Sequence, residues 1–465
     1  MQFPLLLIPI IAPLIALISL ATKKSNPYAA SLIATLFTTL FSFLLLIFIR
    51  QAYLSIPFIP NFGISLDLSL YPYSYPLILM NSIVFLVVSI VGKYFIGDYE
   101  NRLYNALFLL VQSASYGIFL SYSLFFFYLF WEVGEISMFF IIYVFGGYRR
   151  RYASIKFLVY SIFASLLLLL GFLFLYYSFS PPSFSISAML GHLRVVNREF
   201  EIYAFILITL AFIIKLPAFP FHSWLPDAHT EAPTTGSMIL AGVLLKYASY
   251  GLLLEFLIIP IAANYASFVA LIFIFSSIYS GIVMITQKNI KRLIAYSSIV
   301  DMGVIGIGIA AGSLGISEGI FGSLYLMIAH AFSIAVLFLL AGTLDELFGT
   351  LEIERIKGVE HEFPSIGYLF LIGLLLAIGL PVSAGFVGDI FTFSASFAGF
   401  GIEGILPIFG ILLLSSALLW SYMRCFLSTE KSKIIKYPSR SIIVGAEILI
   451  IFSFIVGIAA PYIGV

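Results

Sequence analysis

The feature that most constrains this chain is a series of apolar runs, each of about 20 residues, that recur along the whole sequence. A run of that length can cross the hydrocarbon core of a bilayer as a helix, because a helix satisfies its backbone hydrogen bonds internally. Hydrophobic residues make up 62% of the chain and charged residues 10%. A water-soluble fold of this length could not cover so much apolar surface. We therefore predict an all-α polytopic membrane protein.

The apolar runs predict about fourteen transmembrane helices. The first run has no basic residue before it, so we interpret it as a span and not as a cleaved leader. The predicted spans lie near 4–20, 28–49, 76–97, 103–120, 122–145, 153–177, 201–221, 233–255, 264–286, 292–311, 319–344, 364–398, 404–426 and 441–462.

The distribution of lysine and arginine predicts the orientation of these spans. Most of the basic residues, including Lys23, Lys24 and Lys431, fall in connections that follow odd-numbered spans. The connections after even-numbered spans contain only Arg50, Arg194 and Arg198. Because basic loops stay in the cytoplasm, we expect both termini on the outer side of the cell membrane.

Two of the predicted spans are interrupted by a Leu-Pro pair, at 216–217 and 380–381. Proline breaks the helical hydrogen-bond ladder, and the freed carbonyls can face a wet cavity but not lipid. The interrupted spans are the seventh and the twelfth, which are five spans apart. Because five is odd, two units of five helices built around them have inverted topology, as in many transporters. We therefore predict an N-terminal three-helix segment at 1–102, a first inverted repeat at 103–260, a second at 261–430, and a C-terminal helix at 431–465.

Ionisable side chains inside the predicted spans each require an explanation, because inserting one costs at least about 2.5–3.5 kcal/mol. Acids and bases alternate along the chain, which favours a relay in which loading one site changes the next. The alternative is that buried ion pairs simply lock helices together. We favour that alternative for Glu135, which lies one turn from Glu132 and is a candidate hydrogen-bonding neighbour of it. We also favour it for Glu447, which lies near the end of its span. The remaining candidates are Glu132, Lys215, Lys246, Asp301, His330 and Asp389.

The segment 212–251, FIIKLPAFPFHSWLPDAHTEAPTTGSMILAGVLLKYASYG, carries a family resemblance. It resembles the signature of the antiporter-like, proton-translocating subunits of complex I, which also occurs in Mrp-type Na⁺/H⁺ antiporters and membrane-bound hydrogenases. The similarity extends over the predicted spans four to twelve. Further similar stretches are WE at 131–132, KNIKRLIAYSSI at 288–299, MIAHAFSIAVLFLLAG at 327–342 and GLPVSAGFVGD at 379–389.

The resemblance implies a role for each matching residue. Glu132 corresponds to a glutamate that modulates the first half-channel, Lys215 to the proton-loading lysine of the broken helix, and Lys246 to the central lysine that connects the halves. His330 corresponds to a histidine of the axis, and Asp389 to the ionisable residue of the second half-channel.

One position departs from the family pattern. Many complex I members have histidine in the tenth span where this chain has Asp301. An aspartate titrates at lower pH than histidine unless it is buried. Asp301 is therefore either a carboxylate step of the path or a sign that this half is adapted to another cation.

The loop of the signature contains His222, Asp227, His229, Thr230 and Glu231. We expect these residues to shape the loop, with Asp227 and Thr230 as helix caps. A metal site formed by His222 and His229, which are seven residues apart, is a weaker interpretation than this structural role.

Our leading hypothesis is a proton- or Na⁺-translocating subunit of a redox-driven membrane complex, surrounded by other membrane subunits and lipid. The chain is expected to hold no cofactor and no metal, because it has one cysteine and no glycine-rich nucleotide loop. A net charge of +1 gives no indication of nucleic-acid binding. The alternatives are an Mrp-type antiporter without redox coupling, a haem- or quinone-binding anchor, and a purely structural scaffold. Haem needs axial ligands, and only His330 lies clearly inside a span.

Overall fold

Long apolar helices dominate the computed structural model, which describes residues 4–21, 26–49, 51–96, 101–191, 194–430 and 432–460. Twelve helices of the described part are long and apolar enough to cross a membrane. The predicted all-helical, multi-pass membrane fold is therefore confirmed.

The exact count of fourteen spans remains a prediction. Two of the predicted spans form helices that do not meet the length and charge criteria of the twelve. Pro4–Leu20 is short, and Arg198–Lys215 carries several charged residues. The predicted loop cations Lys23, Lys24, Arg50 and Lys431 lie outside the described residues.

The N-terminal segment contains three helices and a two-stranded antiparallel hairpin. The hairpin was not predicted, because its strands are too short to register as spans and alternate in polarity along the chain. Its single acid, Asp67, is buried and accepts hydrogen bonds from Tyr53, Ser55 and Ser65. The elements are α1 Ile8–Leu20, α2 Pro27–Phe48, β1 Ala52–Ile59, β2 Ile64–Leu70 and α3 Tyr75–Phe95.

The next part of the chain corresponds to the predicted first repeat. Its elements are α4 Arg102–Leu120, α5 Leu124–Phe145, α6 Arg150–Ser178, β3 Phe179–Ser180, α7 Ile186–Gly191, β4 Arg194–Val195, α8 Arg198–Lys215, α9 Trp224–Glu231, α10 Thr234–Ile239 and α11 Leu245–Ile258. A π-helical turn, Leu240–Leu244, joins α10 to α11. The continuous helix that results is almost entirely buried within the chain, so it has no side that faces lipid.

The remaining helices correspond to the predicted second repeat and the C-terminal span. They are α12 Ala266–Ile285, α13 Ile290–Ser313, α14 Ser317–Phe348, α15 Val359–Glu362, α16 Pro364–Ile378, α17 Ala384–Phe400, α18 Pro407–Cys425 and α19 Arg440–Ala459. The longest, α14, is buried along most of its length and packs against both α13 and α17. The division into two inverted repeats stays a prediction.

Both predicted helix breaks are present. In the first, α8 ends at Lys215 and the chain re-enters helical conformation only at Phe221. In the second, α16 ends before Gly379, which has a left-handed φ of 89°, and Val382 also has a positive φ of 75°. A β-branched residue with positive φ is a strained outlier. The surrounding packing must therefore hold this break in place.

Helix α19 packs directly on the second break. A Cβ atom added at Gly457 would clash with the backbone carbonyl of Val382. We expect Gly457→Ala to destabilise the chain by about 1–3 kcal/mol, the usual cost of overpacking. A lower thermal unfolding midpoint of the detergent-solubilised protein would check this. Ile458→Val, on the exposed side of the same helix, should leave the midpoint unchanged; an equal shift in both variants would contradict the prediction.

Candidate ion-translocation site

The first break exposes a backbone carbonyl next to Lys215. Because Pro217 interrupts the ladder, the amide of Ala218 bonds to the carbonyl of Ile213. The carbonyl of Ile214 accepts instead from the indole Nε1 of Trp224, at 3.0 Å. Trp224, the first residue of α9, thus donates the hydrogen bond that the last turn of α8 lacks, and its ring lies beside Lys215.

Lys215 lies in a buried cluster formed by α5, α6 and α8. Its Nζ donates to Oε2 of Glu135 at 2.6 Å and to Oγ of Ser161 at 3.0 Å. The Ser161 hydroxyl in turn donates to the same Glu135 oxygen at 2.9 Å. The rings of Phe157 and Trp224 lie 4.7 and 4.8 Å from Nζ. These contacts hold an ammonium group away from water with one carboxylate as its counterion.

The acid that pairs with Lys215 is Glu135 and not Glu132. We had expected Glu135 to be a hydrogen-bonding neighbour of Glu132, but its Oε2 is bound to Lys215 and Ser161. Glu132 is only half-buried, and its Oε1 has no hydrogen-bond partner among the described residues. The two acids are one turn apart on α5. Residues three apart on a helix are neighbours on its surface, so Glu132 lies close to the ion pair without being part of it.

Lys246 occupies the centre of the protein, where it is completely buried. The π-helical turn before it frees the carbonyl of Ala241, and Nζ donates to that oxygen at 2.7 Å. Nζ also lies 2.6 Å from Nδ1 of His330. When the lysine is an ammonium, it donates to Nδ1, so the ring proton must be on Nε2. π-helical turns occur frequently at functional sites, and this one was not predicted from the sequence.

The Nε2 side of His330 faces two aspartates. Oδ2 of Asp301 is 3.9 Å from Nε2, too long for a direct hydrogen bond. His330, Asp301 and Asp389 line one cavity of about 20 Å³ between α13, α14, α16 and α17, close to the second break. A polar cavity of that volume has room for a water molecule. A bound water could therefore connect the histidine with both carboxylates.

The structure places five of the six predicted residues in two clusters, and Glu132, one turn from Glu135 on α5, lies outside them. Lys246, His330, Asp301 and Asp389 form one cluster, and Lys215 lies in the other. Within the described part of the chain, no direct hydrogen bond joins the two. Between them lies Tyr247, which packs against Gly134 of α5 and shares a 2.5 Å hydrogen bond with Ser115.

The signature loop is held in place by ion pairs and not by helix caps, which corrects our expectation. Asp227 pairs with Lys156 of α6 at 2.7 Å and with Arg292 of α13 at 2.8 Å. Thr230 donates to the carbonyl of Pro226 and caps no helix. Oε2 of Glu231 accepts from the backbone amide of Arg149. The loop thereby ties α9 to the helices on both sides.

The two histidines of the loop stack on aromatic rings. His222 stacks on Phe219, and His229 stacks on Phe338 with their centroids 4.4 Å apart. Among the described residues, no group of three or more histidines, cysteines and acids is placed to hold a metal ion. The stacking gives both rings a packing role.

Besides Asp67 of the hairpin, sequence reasoning missed two further buried acids, Glu201 of α8 and Glu255 of α11. Their charge was visible, but both lie at the ends of predicted spans, where an acid is usually assumed to reach water. The fold encloses both ends, so the side chains are buried instead.

Comparison with known proteins places this chain in one family. Residues 121–415 match the transmembrane family described as NADH:quinone oxidoreductase/Mrp antiporter. The chain is 36% identical to NADH-quinone oxidoreductase subunit M of Rickettsia prowazekii (strain Madrid E), over 76% of this chain and 71% of that protein. It is 30% identical to F(420)H(2) dehydrogenase subunit M of Methanosarcina mazei, over 93% of this chain and 90% of that protein.

A solved structure shares the same fold. A chain of respiratory complex I from Thermus thermophilus with bound NADH superimposes with a TM-score of 0.89 and 25% identity. The match covers 99% of this chain and 96% of that one. The similarity therefore includes the N-terminal helices and the C-terminal helix, which carried little of the sequence resemblance.

Proposed function

Because this chain belongs to the NADH:quinone oxidoreductase/Mrp antiporter transmembrane family, we propose that it is an ion-translocating, antiporter-like subunit of a redox-driven membrane complex. Redox chemistry occurs on partner subunits, and this chain moves the ion across the cell membrane. The relatives named NADH-quinone oxidoreductase subunit M and F(420)H(2) dehydrogenase subunit M support the redox coupling.

The observation that carries the proposal is that Lys215 and Lys246, the two lysines inside the predicted spans, each have a proton acceptor in direct contact. Lys215 contacts Glu135 at 2.6 Å, and Lys246 contacts His330 at 2.6 Å. A buried lysine that faces an acceptor can release its proton after a small rearrangement, because burial disfavours the ammonium and the partner favours it.

The proposed sequence of transfers runs along these contacts. A movement of α5 separates Glu135 from Lys215, and the lysine, deprived of its counterion, releases its proton towards Lys246. Lys246 passes a proton to Nδ1 of His330 as Nε2 releases one into the cavity of Asp301 and Asp389. Glu132, one turn from Glu135, is the modulating acid of the first half-channel.

A second candidate, exchange of Na⁺ for H⁺ without redox chemistry, is favoured by the two aspartates of the cavity. Paired carboxylate oxygens and water are suitable ligands for a hard cation. In vesicles without an electron donor, a Na⁺-dependent collapse of a preformed pH gradient would support this candidate.

We also propose an inverted-repeat arrangement, 103–260 against 261–430, with both termini on the outer side of the membrane. The two broken helices and the distribution of basic residues support it. A membrane-impermeant probe that labels the N-terminus of sealed, right-side-out cells would check the orientation. Labelling only after the cells are opened would overturn it.

Mass spectrometry of the proteins that co-purify with this chain from gently solubilised membranes tests the main proposal. Redox subunits with iron–sulfur or flavin centres are expected in stable association. If the chain co-purifies only with small hydrophobic subunits, the redox coupling is wrong and the antiporter candidate replaces it.

A further inference from the structure

A backbone carbonyl at the second helix break has no hydrogen-bond donor. Pro381 lacks the N–H that would bond to the carbonyl of Ala377, four residues earlier. No other group in the described part of the chain donates to this oxygen. At the first break, by contrast, the indole of Trp224 donates to a carbonyl of the last turn of α8. The end of α16 therefore keeps an acceptor that the protein itself does not satisfy.

The carbonyl belongs to the wall of the cavity that Asp301, His330 and Asp389 line, since Ala377 is one of the lining residues. Asp389 reaches the same end of α16. A Cβ atom added to Gly379, which follows the helix, would lie only 2.6 Å from Oδ2 of Asp389. The C-terminal end of a helix is the negative end of its dipole and favours a cation. The helix end and the carboxylate thus form one electronegative surface.

The two aspartates of this cavity have no lysine or arginine partner among the described residues. Asp301 is within electrostatic range of Asp389 and Lys246, but Lys246 bonds to Ala241 and His330 instead. The closest basic atom is Nε2 of His330, 3.9 Å from Asp301, and this buried nitrogen has no hydrogen-bond partner in the described part. Two carboxylates that share a site need a proton or a cation between them. Lys246 offsets one of the two charges, so a monovalent cation balances the other.

The chemistry of the cavity suits a cation better than a water molecule. Two carboxylates and the Ala377 carbonyl are all acceptors, and one water can donate only two hydrogen bonds. Carboxylate and carbonyl oxygens are ligands of hard cations, and the ends of broken helices coordinate Na⁺ in many transporters. The cavity, about 20 Å³, is partly polar, and 18% of the Asp301 side chain is accessible. This volume holds one water-sized particle, which favours Na⁺ over the larger K⁺.

We propose that the second break is a Na⁺ site formed by Asp301, Asp389 and the carbonyl of Ala377, and that Na⁺ is the ion carried by the second half of this chain. The proposal rests on the proposed function and names its ion. The acids alone are too few to hold a metal ion within the described part, so the backbone oxygen is an essential ligand, and water completes the coordination. The proposed transfers deliver a proton to the same carboxylates. When one of them takes up that proton, Na⁺ leaves and the charge of the cavity is unchanged.

The first test measures equilibrium binding of radioactive Na⁺ to the purified, intact complex. Asp389→Asn keeps the shape of the side chain but removes its charge, and we expect Na⁺ binding at this site to weaken by about tenfold or more. Asp301→His, which introduces the residue of many complex I members, should have the same effect. The exposed acid Glu318 supplies the control, and Glu318→Gln should bind Na⁺ like wild type. Equal Na⁺ binding by wild type and an assembled Asp389→Asn complex would overturn the proposal.

Gly379→Ala tests the geometry of the site without removing a charge. The added methyl group displaces the carboxylate of Asp389, so Na⁺ binding should again weaken by about tenfold or more. Gly315 gives a matched control, because its φ of 86° is close to the 89° of Gly379 and an added Cβ would meet no atom within 4 Å. Gly315→Ala has the same backbone strain and should bind Na⁺ like wild type. Equal weakening in both variants would contradict the role of Asp389 as a ligand.

Transport separates this proposal from the proposed function. Sealed inverted vesicles receive an electron donor, and the uptake of radioactive Na⁺ and of protons is followed in parallel, the latter with a pH-sensitive acridine dye. Donor-driven Na⁺ uptake is expected. Uptake of protons alone would refute the Na⁺ proposal and leave the proposed function standing. Na⁺ binding that depends on Asp389, without donor-driven uptake of either ion, would support the site and contradict the redox coupling.

Discussion

Replacing Lys215 with alanine is expected to abolish ion translocation while the chain still inserts and assembles. Lys215 is the buried cation at the first helix break, held by Glu135 and Ser161. Without it, no exchangeable ammonium remains beside Glu135 to carry charge into the interior. Redox-driven uptake in vesicles should fall to the background level of membranes that lack the complex, and native gel electrophoresis should still detect the assembled complex.

Substitution of an exposed lysine gives this prediction its control. Lys288→Ala removes an exposed lysine and should transport like wild type. Comparison of Glu135→Gln with Glu132→Gln then tests which acid serves Lys215. The contacts predict the larger loss for Glu135→Gln, because breaking a buried ion pair leaves an uncompensated charge worth about 3–5 kcal/mol. Wild-type uptake in Lys215→Ala, or in Glu135→Gln, would contradict the path.

Lys246→Ala is expected to be equally severe, because this lysine is the contact between the central helix and His330. Its loss interrupts the route to the cavity of Asp301 and Asp389. It also leaves the Ala241 carbonyl without its donor, at a cost of about 1–3 kcal/mol. Uptake should again fall to background, with a modestly lower thermal midpoint for the complex.

Lys246→Arg distinguishes an exchangeable proton from a fixed charge. A guanidinium stays protonated in proteins, so it can replace the charge of Lys246 but cannot release a proton. We expect Lys246→Arg to transport no better than Lys246→Ala, provided that native gel electrophoresis shows an assembled complex. Lys93→Ala, at an exposed position of α3, is the surface control. Rapid uptake in an assembled Lys246→Arg complex would mean that Lys246 acts only as a fixed charge.

The sequence by itself determined the class of the fold and most of the helix positions. Apolar length decides which segments can cross a bilayer, and this is a local property. Both helix breaks could be predicted because proline acts on its own turn. The candidate residues could be named for a similar reason, since an ionisable group inside an apolar run is costly wherever its helix packs.

Only the tertiary structure decided which of these groups face one another. Glu132 and Glu135 are one turn apart on the same helix, and the choice of partner for Lys215 depends on how α5 is rotated against α6 and α8. The contact of Lys246 with His330 joins residues that are far apart in the chain. It also depends on a π-helical turn that no local sequence pattern indicated. Glu255 looked like an acid at a helix end, and its burial follows from the packing of α5, α6 and α8 around it. Local hydrophobicity specifies the helices, but rotation and packing between helices are long-range properties, and they place the charges.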